Sequence, residues 1–190
     1  MKFRLTVCMV IAALAVVTSG AGAMGRPFKI GFAGGASVPV SNAADAFKSG
    51  FHGKAMFQWA PPVLPLGLRA SVGYERLSLK SLTPGVDGTG KILSGVGNFT
   101  YGFPVGPLKP YLIAGVGAFN MKTEVSGTTS PSETKFGIDA GAGLEFKLGG
   151  VAGFVEGKVE NIFTDQGFSG PSSTQDVKTM IIPVTFGIFF

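Results

Sequence analysis

The chain has 190 residues, of which 45% are hydrophobic and only 14% charged, and it contains 30 glycines and 17 phenylalanines. Its formal net charge of +5 comes from 16 basic and 11 acidic residues. The basic residues are scattered, without the clusters of Lys and Arg that nucleic-acid binding requires. The single cysteine, Cys8, excludes a disulfide scaffold and a thiolate metal site.

The first 23 residues have the pattern of a secretory signal peptide. Lys2 and Arg4 precede an apolar run at 7–17, and small residues follow it up to Ala23. The run is shorter than the roughly 20 residues that a membrane-spanning helix needs. We therefore predict a signal peptide at 1–23 that is cleaved near Ala23.

The remaining part of the chain, residues 24–190, is predicted to be one domain with 14 basic and 11 acidic residues, a net charge of +3. It is as hydrophobic as a membrane protein but contains no apolar run long enough for a transmembrane helix. Within hydrocarbon, backbone N–H and C=O groups need partners inside the protein, which only helices and closed barrels provide. The composition therefore indicates an all-β domain that spans a membrane as a barrel.

Eight segments of this domain have strand character, with hydrophobic residues at alternate positions between clusters of turn residues. They lie at 28–38, 50–59, 66–80, 92–103, 109–122, 136–148, 151–163 and 179–190. Each is long enough to cross a bilayer as a tilted strand, which takes about 9 to 11 residues. We predict an eight-stranded antiparallel up-and-down transmembrane β-barrel.

The connections between these segments alternate between short and long. The short ones lie at 60–65, 104–108 and 149–150, and the long ones, rich in Ser, Thr, Gly, Asp and Pro, lie at 39–49, 81–91, 123–135 and 164–178. Short periplasmic turns and long extracellular loops are typical of outer-membrane barrels. Gly149 and Gly150 also form a two-residue hairpin signal, since both can take positive φ.

Alternation divides the segments into an apolar and a polar face, as with Phe136 and Ile138 against Asp139 in the sixth. The ionisable residues on the polar faces are His52, Lys54, Arg69, Glu75, Asp139, Glu145, Lys147, Glu156, Lys158 and Glu160. An eight-stranded barrel leaves an interior just wide enough for side chains, so we expect these groups to pair and fill the lumen. A small aqueous pathway lined by them is the alternative.

The outward face does not follow from alternation alone, because a soluble β-sandwich has the same pattern with its apolar face inside. The signal peptide, the low charge and the aromatic residues near strand ends favour the membrane form. The aromatic residues expected in two interfacial girdles are Phe28, Trp59, Tyr101, Phe103, Tyr111, Phe163 and Phe190. In segments four and five two sets compete for the outer face: Leu93, Phe99 and Ile113 against Val96, Leu112 and Val116.

The last segment ends in Phe190 and has apolar residues at every second position. These are Met180, Ile182, Val184, Phe186 and Ile188. With the Pro-Tyr-Leu-Ile-Ala-Gly-Val-Gly run at 110–117 and the eight-segment layout, it resembles the bacterial outer-membrane β-barrel family that includes OmpA transmembrane domains, OmpX and opacity proteins. The resemblance implies a Gram-negative outer-membrane location, contact with the lipid bilayer and lipopolysaccharide, and assembly by a barrel-assembly machinery that reads Phe190.

Catalytic chemistry has one starting point in this sequence, the single histidine His52. With Ser49 nearby and Glu75 across a strand pair, one interpretation is a Ser-His-Glu hydrolase that acts on lipid A. The other is a histidine in a polar network, and because spacing does not establish triad contacts we assign no catalytic residue. The Gly-x-Gly pairs lack a third glycine and a following helix, and no metal-binding pattern occurs, so we expect no cofactor.

These observations predict a small, monomeric, non-enzymatic outer-membrane protein with a structural or surface-interaction role through four long extracellular loops. A narrow pore for ions or small solutes is the first alternative, and a lipid A-modifying hydrolase is the second. No motif in the long connections names a ligand. The fold by itself does not decide among these functions, because one architecture carries many activities.

Overall fold

A computed structural model describes residues 27–40, 44, 47–61, 64–79, 88–103, 105, 107–125, 128–129, 131–163 and 179–190. The predicted signal peptide at 1–23 lies outside these residues, as do parts of the long connections, including all of 164–178. No helix within the described residues has the length and apolar character needed to cross a membrane.

Nine strands are found in the described part of the chain. They are β1 (Phe28–Val40), β2 (Gly50–Trp59), β3 (Leu66–Ser78), β4 (Gly88–Gly102), β5 (Leu108–Val125), β6 (Thr128–Thr129), β7 (Glu133–Leu148), β8 (Val151–Ile162) and β9 (Thr179–Phe189). Eight of them, 10 to 18 residues long, correspond to the eight predicted segments. The other, β6, is a two-residue strand that pairs with the end of β5.

The eight long strands form one closed antiparallel barrel. Their order is β4-β3-β2-β1-β9-β8-β7-β5, and a β4–β5 ladder closes the sheet. The first and last strands pair with each other, with Gly31 opposite Phe189. Each long strand therefore has a partner on both sides, which satisfies the backbone hydrogen bonds as a membrane requires. The predicted fold and topology are confirmed.

The apolar faces of the strands point outward and the polar faces point into the lumen, as predicted. On β2, Phe51 and Phe57 are 60% and 48% exposed, whereas His52 and Gln58 are 4% and 3% exposed. Soluble proteins show the opposite sense, because they bury their large apolar side chains. The outer surface is one that lipid tails can cover.

The outward faces of β4 and β5, which the sequence left undecided, are now assigned. Their exposed side chains include Leu93, Phe99, Leu112 and Val116. Val96 and Ile113 point into the lumen instead. The β4–β5 ladder accounts for this, because residues that lie opposite each other share a face.

The sequence prediction for Tyr111 is wrong. Tyr111 lies in the lumen rather than in an interfacial girdle, because its position in β5 shares the inward face with Ile113. Gly143 lies opposite it, and a Cβ at that glycine would collide with the tyrosine ring. Lys147 has the predicted inner-face register, opposite the buried Ala152, but its side chain is exposed because it lies near the end of β7, two residues before Gly149.

The predicted two-residue hairpin between β7 and β8 is confirmed. Leu148 pairs with Val151, so Gly149 and Gly150 form the whole turn. Gly149 has φ of 62° and is the single positive-φ glycine among the described residues. A non-glycine residue would be strained at this position.

The core of the molecule lies inside the barrel as two apolar clusters, one near each end. The long-loop cluster, at the end with the long connections, consists of Phe47, Leu77, Ile92, Val96, Phe119, Met121, Ile162 and Ile181. The short-turn cluster, at the opposite end, consists of Met56, Ala152, Phe154 and Phe189. The polar residues of the lumen lie largely between them.

Candidate functional site

Ionisable side chains are concentrated inside the barrel. Nine of the ten residues predicted for the inner face lie within the closed lumen; the sequence analysis missed Lys29 of β1, which completes this set, and Lys109 of β5, which lines the short-turn mouth of the lumen beside Arg69 and Glu145. This set, the lumen network, consists of Lys29, His52, Lys54, Arg69, Glu75, Asp139, Glu145, Glu156, Lys158 and Glu160. Charges within a membrane span are either paired for structure or used for function, so the lumen network is the candidate site.

Arg69 is held by four strands at the short-turn end of the network. Its Nη1 lies 2.5 Å from Glu156 Oε2, and its Nε donates to Gln58 Oε1 at 2.8 Å. The Tyr111 hydroxyl donates to the same Glu156 oxygen at 2.8 Å. The guanidinium also lies 5.2 Å from the ring centroid of Phe189, a cation–π contact. Arg69 is therefore both paired and packed.

Lys29 forms a second buried pair at this end. Its Nζ lies 2.5 Å from Glu145 Oε1 and 5.7 Å from the Phe189 ring centroid. Both charged side chains are at most 2% exposed. Alternation could have found Lys29, because Phe28 and Ile30 on either side of it belong to the apolar face.

Lys158 is the centre of the network at mid-height. Its Nζ lies 2.6 Å from Asp139 Oδ2 and 3.5 Å from Glu160 Oε1. Lys54 reaches the same Glu160 oxygen at 3.1 Å. Asn98 donates to the other oxygen of Asp139 at 2.5 Å. Two lysines and two carboxylates from three strands thus form one chain of charges.

His52 is bonded to hydroxyl groups on both sides of its ring. Nδ1 lies 2.9 Å from Ser37 Oγ, and Nε2 lies 2.9 Å from Thr185 Oγ1. In a neutral imidazole one nitrogen donates and the other accepts, so both bonds are compatible with an uncharged ring. Glu75 lies opposite His52 on β3, as the sequence suggested, but Ser49 is exposed before β2 and is not a partner of the ring.

Glu75 differs from the other acids of the lumen network. It is 6% exposed, and its Oε1 has no hydrogen-bond partner in the described structure. A small cavity with room for about one water molecule lies beside it, lined also by His52, Lys54, Ser94 and Glu160. A buried carboxylate with an unsatisfied oxygen is expected to be destabilising.

Opposite charges nearly balance in the lumen network. Within the described residues it contains four cations, of Lys and Arg, and five carboxylates. Four of the carboxylates form ion pairs, which leaves Glu75 as the acid of the network without one. No group of three or more His, Cys, Asp or Glu side chains suited to a metal ion is found among residues of described position.

The long-loop cluster closes the lumen above the charges. Phe119, Ile162 and Ile181 of this cluster are at most 1% exposed. At the other end, Phe154 and Phe189 stack with their centroids 4.9 Å apart. Three cavities in the described part of the barrel each hold about one water molecule. Side chains therefore fill the interior.

Comparisons with known proteins agree with this architecture. The sequence model of a family described as the outer membrane protein beta-barrel domain matches residues 7–190. Neisserial surface protein A has a similar structure, with a TM-score of 0.64 at 18% identity over 86% of this chain and 96% of that chain. For a major outer membrane protein from Thermus thermophilus the TM-score is 0.58 at 15% identity, over 87% and 99%. A sequence search of curated proteins finds no match.

Proposed function

Because the chain belongs to the outer membrane protein β-barrel domain family, we propose that it acts in the bacterial outer membrane as a non-conducting scaffold with a structural or surface-interaction role. In this proposal the barrel holds the four long connections at the cell surface and the short turns face the periplasm. Loops on a rigid framework are where recognition usually lies. The observation that carries the proposal is the filled lumen.

The buried ion pairs of the lumen network argue against a pathway for ions through the barrel. A passing ion would have to separate pairs such as Arg69–Glu156 and Lys158–Asp139, whose members are at most 4% exposed. Separation of a buried pair leaves uncompensated charge, at a cost of about 3–5 kcal/mol. The ion would then have to cross the long-loop cluster, whose side chains are all apolar. Both barriers favour a structural role for the charges.

The hydrolase alternative has less support. Ser37 and His52 are within hydrogen-bond distance, but Ser37 is 0% exposed and both residues face the lumen. A lipid substrate outside the barrel does not reach them. Expression of the protein is therefore expected to leave the mass of lipid A unchanged, and a mass change abolished by His52→Ala would revive the hydrolase.

Conductance in planar bilayers tests the proposal. The purified protein, with its folded state verified by a gel-mobility shift between unboiled and boiled samples, is expected to give no discrete current steps in concentrated KCl. A general porin serves as positive control. Glu75→Gln is the matched variant, because it removes the one carboxylate of the lumen network that forms no ion pair while it preserves the side-chain shape. Discrete steps from the wild type, altered in size by Glu75→Gln, would refute the non-conducting scaffold and assign the current to the lumen.

A further inference from the structure

One of the three cavities lies at the short-turn end of the lumen, and most of the polar side chains around it carry hydrogen-bond donors. These polar side chains are Gln58, Arg69, Thr100, Lys109, Tyr111 and Glu145. They come from β2, β3, β4, β5 and β7, so the closed barrel builds the cavity rather than a single loop. Glu145 is the one carboxylate among the described residues that line it.

Lys109 has no carboxylate partner at this cavity. Glu145 lies opposite Lys109 on β7, but its Oε1 lies 2.5 Å from the Nζ of Lys29. Lys109 itself forms no ion pair with any described residue. Its side chain lies over Gly102, where an added Cβ would collide with Lys109 Cε. The absence of a side chain at Gly102 thus allows a cation to lie across the short-turn mouth of the lumen.

Three buried side chains supply further donors to the cavity. Arg69 uses its Nε and Nη1 for Gln58 and Glu156, so its Nη2 group is still available. Gln58 accepts the bond from Arg69 through Oε1, which leaves its Nε2 amide as a donor. The hydroxyl of Thr100, which is 6% exposed, has no hydrogen-bond partner among the described side chains. Buried donors without an acceptor are costly, so this lining favours an anion.

The side-chain charges in the short-turn half of the lumen do not balance. Within the described residues they are three cations and two carboxylates, namely Lys29, Arg69, Lys109, Glu145 and Glu156. Glu75, the acid of the lumen network without an ion pair, lies six residues from Arg69 along β3. This separation is about 20 Å, too far for Glu75 to pair with Lys109. One net positive charge is therefore left at the short-turn mouth.

We propose that this cavity binds one small monovalent anion, of the size of chloride, between the ammonium of Lys109 and the guanidinium of Arg69. Gln58 and Thr100 complete the site through their amide and hydroxyl. The charge of the anion equals the local excess, and chloride is only slightly larger than the single water molecule for which the cavity has room. Hydrogen bonds from charged donors to an anion are the strong ones. The site is a dead end, because the Arg69–Glu156 pair lies behind it, so the anion does not pass through the barrel.

The NMR linewidth of the chloride ion tests the site, in a titration of the folded protein in a nonionic detergent with sodium chloride as the probe. Exchange with a protein site broadens the chloride resonance, and the wild type is expected to show saturable broadening with one site per barrel. Lys109→Gln should weaken chloride binding by about tenfold or more, because one charge-assisted hydrogen bond is lost. Thr100→Val, which keeps the side-chain shape, should weaken it by about threefold, the effect of one neutral donor.

The matched control is Lys147→Gln, which removes the same charge at the same end from an exposed side chain that does not line the cavity. It is expected to leave chloride binding unchanged. Equal losses in Lys147→Gln and Lys109→Gln would reduce the effect to general attraction by positive charge and overturn the site.

Competing anions test the size of the site. Bromide should displace chloride, whereas acetate and sulfate at the same concentration should not, because they are too large for the cavity. Displacement by acetate would assign these donors to a carboxylate instead, and no saturable broadening in the wild type would mean that the cavity takes water only. Either result would overturn the proposal. Binding in detergent depends neither on conductance nor on orientation in the cell, so the outcome is independent of the scaffold role.

Discussion

At the scale of single residues, hydrogen bonding separates Glu75 from the other carboxylates of the lumen. Four carboxylates meet a Lys or Arg within 3.5 Å, whereas Glu75 forms no ion pair with any described residue and leaves Oε1 unsatisfied. A buried charge without a partner is destabilising, because its lost hydration is not compensated. Removal of a paired carboxylate is also destabilising, because its partner is left uncompensated. Without Glu156, for example, Arg69 would be a buried cation with no carboxylate.

Glu75→Gln is therefore expected to raise the free energy of unfolding by about 1–2 kcal/mol, because it removes the unpaired carboxylate and keeps the shape. Urea titration in lipid vesicles measures this, followed by the emission of Trp59, the single tryptophan. The matched variant Glu156→Gln should instead lower stability by about 3–5 kcal/mol, because Arg69 is left without its carboxylate. A loss of stability in Glu75→Gln as large as that in Glu156→Gln would show that the Glu75 carboxylate has a stabilising partner.

At the scale of single strands, the sequence predicted the outward face correctly where the inner face of the strand is polar. In β7, Asp139 and Glu145 mark the inner face, and the sequence prediction was correct. In β4 and β5 the inner face carries Ile92, Val96 and Phe119 of the long-loop cluster, so both faces are apolar and alternation loses its contrast. Which residues of each strand reach this cluster is decided by the register of the closed barrel, which the sequence pattern does not contain.

The two phenylalanines at the end of β9 offer an element-scale prediction, because they face opposite ways. Phe189 is 0% exposed in the short-turn cluster, whereas the side chain of Phe190 is only half-buried. Phe189→Ala should destabilise the folded barrel by about 3–5 kcal/mol through loss of core packing. Phe190→Ala should leave stability nearly unchanged and, if the assembly machinery reads this residue, should reduce the amount in the outer membrane several-fold.

Urea titration of the refolded variants and immunoblots of outer-membrane fractions distinguish these two effects. Refolding of Phe190→Ala in detergent serves as the control for its intrinsic folding. Normal levels of Phe190→Ala in the outer membrane would argue against recognition of the terminal residue. A Phe189→Ala barrel as stable as the wild type would contradict the lumen packing described above.

At the scale of the whole molecule, composition and alternation were sufficient to predict a barrel, but not to predict which side chains pair inside it. The number of strands and the two-residue turn after Leu148 follow from local patterns, as does the layout of short and long connections. The pair Lys29–Glu145 joins residues 116 positions apart, and Arg69–Glu156 joins residues 87 apart. Such pairs depend on the register of the closed sheet, which local alternation does not contain.

Orientation of the barrel in the membrane is the remaining whole-molecule property on which the proposed function depends. The turn Gly149–Gly150 joins β7 and β8 at one end of the barrel. At the other end β8 ends at Ile162, opposite Thr179 at the start of β9. Cysteine labelling on intact cells distinguishes the ends, because Cys8 is the single cysteine and lies in the predicted signal peptide. Gly150 accepts a side chain, since the space around its Cβ position is open.

A membrane-impermeant maleimide is therefore expected to label Ser172→Cys on intact cells, because the long connections face the exterior. Gly150→Cys should react only after the outer membrane is permeabilised, since the turn faces the periplasm. Immunoblots of the membrane fraction confirm equal amounts of both variants. The reverse pattern would place the long connections in the periplasm and exclude a surface role for them.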